Sequence, residues 1–170
     1  FTLYFFDSID TMMDSFFFQN NRQDITISFT DPRNDSAAED LAHFPDVLRV
    51  ELQRNAEAIL EFGSRSRRIA ILGLDPDAEL SRHINSDGVV IYLPPEGIVL
   101  NDKLAELLGV KVGDSLHIRI MEGRRPERSI AVTGITREYI GTSAYMNRDA
   151  MNRLLHEGPS ANTALLSIDP

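Results

Sequence analysis

Residues 97–120, GIVLNDKLAELLGVKVGDSLHIRI, decide how this chain folds. Leu104, Leu107 and Leu108 share one face of a short amphipathic helix that stops at Gly109. Gly109 stands where a helix C-terminus needs positive φ, with Val110 placed to cover the last turn. Gly113-Asp114 predicts a tight turn, because Gly supplies positive φ and Asp bonds nearby backbone amides. After the turn, Leu116, Ile118 and Ile120 alternate with His117 and Arg119, the pattern of a half-buried strand. Gly109, Gly113 and Asp114 are therefore structural turn residues. The unit offers no catalytic nucleophile, metal-ligand set or phosphate cradle. It belongs to a module that binds or moves something.

Outward from this unit, strands alternate with short helices. Upstream, Ile25, Ile27 and Phe29 alternate with polar residues and predict a strand over 24–30. Ser36-Ala37-Ala38-Glu39 reads as a capping box opening a short helix, which Pro45 ends by forcing Phe44 out of the helical region. Two extended runs, 47–62 and 67–74, flank Gly63-Ser64-Arg65-Ser66 as a hairpin. Val89 to Leu93 reads as a short buried strand closed by Pro94-Pro95. Downstream come a strand over 129–135, an extended stretch over 139–146, and a helix with Asn147 as cap and Gly158 as stop. That helix carries Met151, Leu154 and Leu155, and a last strand covers 163–168. The pattern is α+β, with two lobes meeting near residue 96.

The first 18 residues, FTLYFFDSIDTMMDSFFF, repeat apolar side chains at three- and four-residue spacing and form an amphipathic helix with an aromatic stripe. Two readings stand: a terminal helix packed on the domain's own core, or the end of a transmembrane helix at its interfacial aromatic belt. No apolar run of 18 residues is present, so no complete membrane span lies within the 170 residues.

Composition removes several function classes. A net charge of -9 sets a repulsive field against phosphate backbones, which argues against nucleic acid as a partner. Cys is absent, so thiolate metal sites, thiol catalysis and disulfides are excluded. No Gly-Lys dipeptide occurs, so there is no phosphate-cradling loop of the nucleotide-hydrolysing type. His43, His83, His117 and His156 are widely spaced and form no metal-binding pair, and no G-x-S-x-G elbow exists. Cofactor, metal and catalytic residues are accordingly expected to be none. Two basic clusters, Arg65, Arg67 and Arg68, and Arg124, Arg125 and Arg128, lie near hairpin tips. They are either solvated turns or contacts for anionic lipid head groups or an acidic partner surface.

Taken in order, several segments resemble the extracytoplasmic domain of MacB/FtsX-type ABC-transporter permeases. These are Gly97 through Ile120, Ala144-Tyr145-Met146 with the helix that follows, the opening Phe5-Phe6-Asp7-Ser8-Ile9-Asp10 with the strand after it, and Phe44-Pro45-Asp46-Val47. The resemblance implies residues 1–20 as the end of the first transmembrane helix. It implies a mixed α/β, Porter-like lobe from 21–95 and 141–170, incomplete at its C-terminus, and a smaller, inserted β-rich, Sabre-like lobe over 96–140. It further implies a place on the outer, periplasmic side of the cell membrane, with ATP consumed by a separate nucleotide-binding subunit. The partners implied are that ABC ATPase, the chain's own transmembrane helices, and a periplasmic adaptor, a lipoprotein or a second permease copy. A different reading takes the Gly-Asp turn as that of a cradle-loop or double-psi β-barrel, making the chain a cytoplasmic binding module of an AAA-type or other enzyme.

Overall fold

The computed structural model describes residues 22–81, 83–138 and 141–169. The aromatic helix expected over residues 1–18 lies outside the described residues. Within them the chain runs β1 (Ile25–Asn34), α1 (Ser36–Ala42), β2 (Val47–Phe62), β3 (Arg65–Leu74), β4 (Ile98–Asn101), α2 (Asp102–Leu108), β5 (Ser115–Ile120), β6 (Glu127–Thr136), β7 (Ala144–Asn147), α3 (Arg148–Leu154) and β8 (Ser160–Ile168). The α+β class expected from the sequence is present. A closed barrel, absent from the leading expectation, accompanies it.

The strand order is β1-β8-β2-β3-β7-β4-β6-β5, and β5 pairs back onto β2. Six strands, β2, β3, β7, β4, β6 and β5, therefore close on themselves, while β1 and β8 extend the sheet from β2. The closing ladder is antiparallel, with Ala58 opposite Ile120 and Leu60 opposite Ile118. Closure leaves these six strands with no long free edge, only the short stretch Arg128 to Ala131 of β6 having no described strand on one side, which lessens the aggregation hazard an open sheet carries.

β2 makes this arrangement work. Its 16 residues serve two sheets in turn: Val47 to Gln53 pair with β8, and Arg54 to Phe62 pair with β3. The inward parity of its barrel half is small then large, Ala56, Ala58, Leu60. The opposite parity carries Glu57 and Glu61 outward. Gly73 sits across from Arg54, and a Cβ there would fall on the Arg54 carbonyl oxygen and lie 3.2 Å from the Met151 Cβ. Only glycine lets β3 approach β2 so closely beneath α3.

Two main cores result. The barrel core gathers Leu60, Ile71, Ile98, Leu100, Leu104, Leu108, Leu116, Ile118 and Ile120, all fully buried, with Met151 of α3. Each such side chain contributes about 1.5–3 kcal/mol by leaving water. A second core, Leu52, Ala161, Ala164 and Leu166 with Ile27, Phe29 and Leu41 against it, joins α1 to the β1-β8-β2 sheet.

Three local expectations are corrected. Asp35, not Ser36, caps α1, and it makes no side-chain cap bond; the Asn34 side chain accepts from the Ser36 backbone and hydroxyl instead. The hydrogen-bonding residues just upstream displace the expected capping box. Val89 to Leu93 forms no strand, only an isolated bridge between Ile84 and Val90, because β7 already pairs with both β3 and β4. Finally, α3 ends at Leu154 and the chain reverses through His156 at φ 55, two residues before Gly158.

Candidate functional site

The turn at the heart of the sequence is built by side chain and backbone together. Asn101 caps α2 by accepting from Leu104 N at 2.9 Å, and Gly109 closes it at φ 74 with its N–H on the Ala105 and Glu106 carbonyls. Gly113 takes φ 97, and the Asp114 carboxylate accepts from Lys111 N at 2.9 Å. These residues shape the approach of α2 to β5. They expose no group suited to chemistry.

The two arginine clusters separate. In the β2–β5 ladder Glu61 stands opposite His117 and Ala58 opposite Ile120, so the β2–β3 hairpin and the β5–β6 turn lie at opposite ends of it. Arg65 reaches across to donate to the Glu106 carbonyl at 3.4 Å, covering the C-terminus of α2. Arg68 makes a two-pronged pair with Glu57 at 2.7 and 3.0 Å, holding that exposed carboxyl below its usual range. Arg67 donates to its neighbour Ser66. Arg124 and Arg125 occupy the exposed β5–β6 turn, Arg125 at φ 50. Arg128 donates to the Glu127 carbonyl and to His156 Nε2 at 2.8 and 2.6 Å.

The arginines that tie the molecule together are two others. Arg54, only 2% exposed, sits where β2 passes from β8 to β3. It makes a bidentate pair with Glu157 at 3.0 Å and a second pair with Glu122 at 2.7 Å. Burial works against its charge, yet the bonds to Glu157 and Glu122 outweigh it and raise its pKa. Burial likewise opposes the charge of Glu157, but Arg54 and Ser160 hold that carboxyl below its ordinary value. Arg148 joins α3 to Asp75 at the end of β3 and to Asp35 before α1, at 2.7 and 2.6 Å. Sequence reading passed over Arg54 although its parity matches Leu52, Ala56, Ala58 and Leu60, the inward face; that was the available signal. Arg148 follows a capping Asn and carries no such mark.

Between β3 and β4 a long connection folds over a cavity of about 280 Å³ lined by Leu74, Ser81, His83, Ile91, Leu93 and Tyr145, among others. The Glu51 carboxylate fastens this connection by accepting from the backbone of Glu79, Leu80 and Ser81. The His83 ring lies against that of Tyr145, centroids 4.5 Å apart and planes tilted by 43°, and its Nε2 lies 3.1 Å from Ser81 Oγ. Burial pushes its pKa down to about 4, so the ring is neutral near pH 7. Burial also raises Tyr145, whose hydroxyl donates to Glu138 at 3.1 Å. No carboxylate orients His83 among the described residues, so the Ser81–His83 contact lacks the third member of a hydrolytic triad. No group of three or more His, Cys, Asp or Glu suited to a metal ion occurs among the described residues.

Both ends of the described chain meet at one edge of the β1-β8-β2 sheet. Asp24 N donates to Leu166 O, its carboxylate accepts from Ile168 N, and Asp169 N donates to Asp46 O. The Phe44-Pro45-Asp46-Val47 turn beside them takes φ 70 at Asp46. It leaves Phe44 62% and Leu48 66% exposed. None of the described helices is long and apolar enough to cross a membrane.

No protein-family model matches the chain, and no curated protein matches it. Solved structures do. The extracellular domain of the noncanonic ABC-type transporter YknZ from Gram-positive bacteria superposes with a TM-score of 0.58 and 10% identity, covering 85% of this chain and 82% of that one. The periplasmic region of MacB from Actinobacillus actinomycetemcomitans gives 0.55 and 11%, covering 85% and 73%. The chain thus has the mixed α+β fold of these extracytoplasmic ABC-transporter domains.

Proposed function

We propose that the chain is the extracytoplasmic domain of an ABC-transporter permease, carried on membrane helices and driven by a nucleotide-binding subunit on the opposite face. The observation that carries this reading is the match to two such domains over 85% of the chain. The convergence of both described ends on one edge supports it, since a domain inserted between two membrane helices must return to where it began. The domain itself performs no catalysis in this scheme. It transmits and receives force, and it handles a substrate or lipoprotein at the outer surface.

The architecture suits that task. β2 runs about 50 Å if fully extended, from the edge where the ends meet to the far tip of the barrel. Arg54 and Arg148 tie the barrel to the smaller sheet by ion pairs in which the guanidinium is buried and the carboxylates are partly exposed, so losing the carboxylates leaves a buried positive charge unpaired. Displacement at the membrane edge therefore moves the barrel as one body. The cytoplasmic barrel-module reading receives no support from the two matches.

The complete reading frame tests this directly. Apolar runs of about 20 residues adjoining both sides of the domain are expected. A start codon or a soluble domain directly upstream of Phe1 would overturn the permease reading.

A further inference from the structure

Closure of the barrel is incomplete at one seam. β4 has only four residues, and Gly97, at φ 91, bends the chain immediately before it while lying against the Ala131 carbonyl and Thr133 of β6. β4 pairs with β6 only from Val132 to Thr136. Over Arg128 to Ala131, β6 is paired with β5 on one side and with no described strand on the other.

The ladder fixes which groups that seam presents. Val132 N donates to Asp114 O, and Ile120 N donates to Pro126 O, so the even-numbered residues of β6 turn their polar groups towards β5. The Ser129 N–H and C=O, and the Ala131 N–H, consequently point into the seam. There a depression of about 380 Å³ opens between β6 and α3, with Ile130, Met146, Ala150 and Leu154 in its lining. Arg128 and Arg153 also line it. Arg153 pairs with Glu96, whereas Arg128 pairs with no carboxylate among the described residues and is oriented by His156 at 2.6 Å. His156 holds that position at φ 55, a left-handed backbone state that L-residues adopt uncommonly.

We propose that this seam is a strand-addition site for an extended acidic peptide segment of a partner protein. The segment pairs with the β6 edge at Ser129 and Ala131, seats an apolar side chain over Met146, Ala150 and Leu154, and places a carboxylate on Arg128. Main-chain hydrogen bonds supply affinity in this mode, while the pocket and the guanidinium supply selection. Charge complementarity selects the partner: Glu96, also in the lining, offsets Arg153, so a basic segment would meet the uncompensated guanidinium of Arg128 at close range. The inference stands apart from the transporter reading, because the seam would take such a segment in any setting.

The test uses the 170-residue chain labelled with ¹⁵N and titrated with blocked pentapeptides. Acetyl-Leu-Glu-Leu-Glu-Leu-amide is expected to shift the Ser129 and Ala131 amides, with a dissociation constant below about 1 mM. Its counterpart with Lys in place of Glu is expected to bind at least about tenfold more weakly, and Arg128→Ser is expected to weaken the Glu peptide by a similar factor. Ser129→Pro, which removes a seam-facing donor and leaves the β5 ladder intact, is expected to abolish the Ala131 shift. Unmoved Ser129 and Ala131 amides at millimolar Glu peptide, or equal binding of the Lys peptide to the unaltered chain, would overturn the proposal whether or not the variants fold.

Discussion

Gly73, Gly109 and His83 show how much a single position decides. Gly109 adopts φ 74, and a Cβ there would also meet Arg65 Nη1 at 2.9 Å, a flexible tip that can move aside. Gly109→Val is therefore expected to cost about 1 kcal/mol or more, chiefly through backbone strain. Gly73→Ala faces a rigid carbonyl rather than a mobile guanidinium, so its expected cost is larger, about 2–3 kcal/mol. Urea unfolding of both variants checks the order; equal midpoints for parent and Gly73→Ala would contradict the packing described. His83 gives a pH signature. Its folded pKa is depressed by burial to about 4, while the unfolded ring titrates near 6.5. The unfolded state thus takes up the proton first, and the stability held above pH 6.5 is lost as the pH falls towards 4, by as much as about 3 kcal/mol. Replacement with Gln should flatten the melting temperature over that interval relative to the parent. An unchanged slope would place His83 outside the cavity.

At the scale of elements, the sequence disclosed what is local and hid what is distant. α2, its Asn101 cap, Gly109, the Gly113-Asp114 turn and β5 are encoded within 24 consecutive residues, so propensity and capping chemistry are enough to read them. The hairpin of β2 and β3 was equally legible, although Arg65 and Ser66 prove to be strand, not loop. Barrel closure had no such trace. It depends on β2 meeting β5 across some 60 residues of intervening chain, and alternation in either strand fits an open sheet as well as a closed one. The same holds for the buried pairs of Arg54 and Arg148, whose partners lie in distant turns. Hydrogen exchange tests the closure. Met121 N donates to Glu57 O, so by alternation the Arg119 amide points at β2 while that of Ile118 points at β6. Comparable protection of Arg119 and Ile118 is expected. Exchange of Arg119 at edge-strand rates would mean that the barrel is open.

For the molecule as a whole, the account rests on which side of a membrane it works. Two cores joined by one long strand, and described ends that converge beside exposed Phe44 and Leu48, are the features the proposed placement on membrane helices has to accommodate. The chain's lack of Cys makes this measurable, since an introduced thiol is the sole reporter within it. Ser64, exposed at the tip of the β2–β3 turn, is a suitable place for one. The decisive measurement is labelling of Ser64→Cys, in the complete protein within intact cells whose outer layers admit the reagent, by a membrane-impermeant maleimide. The account predicts that labelling is as complete before lysis as after it. Labelling that appears only once the cell membrane is broken would contradict an extracytoplasmic domain.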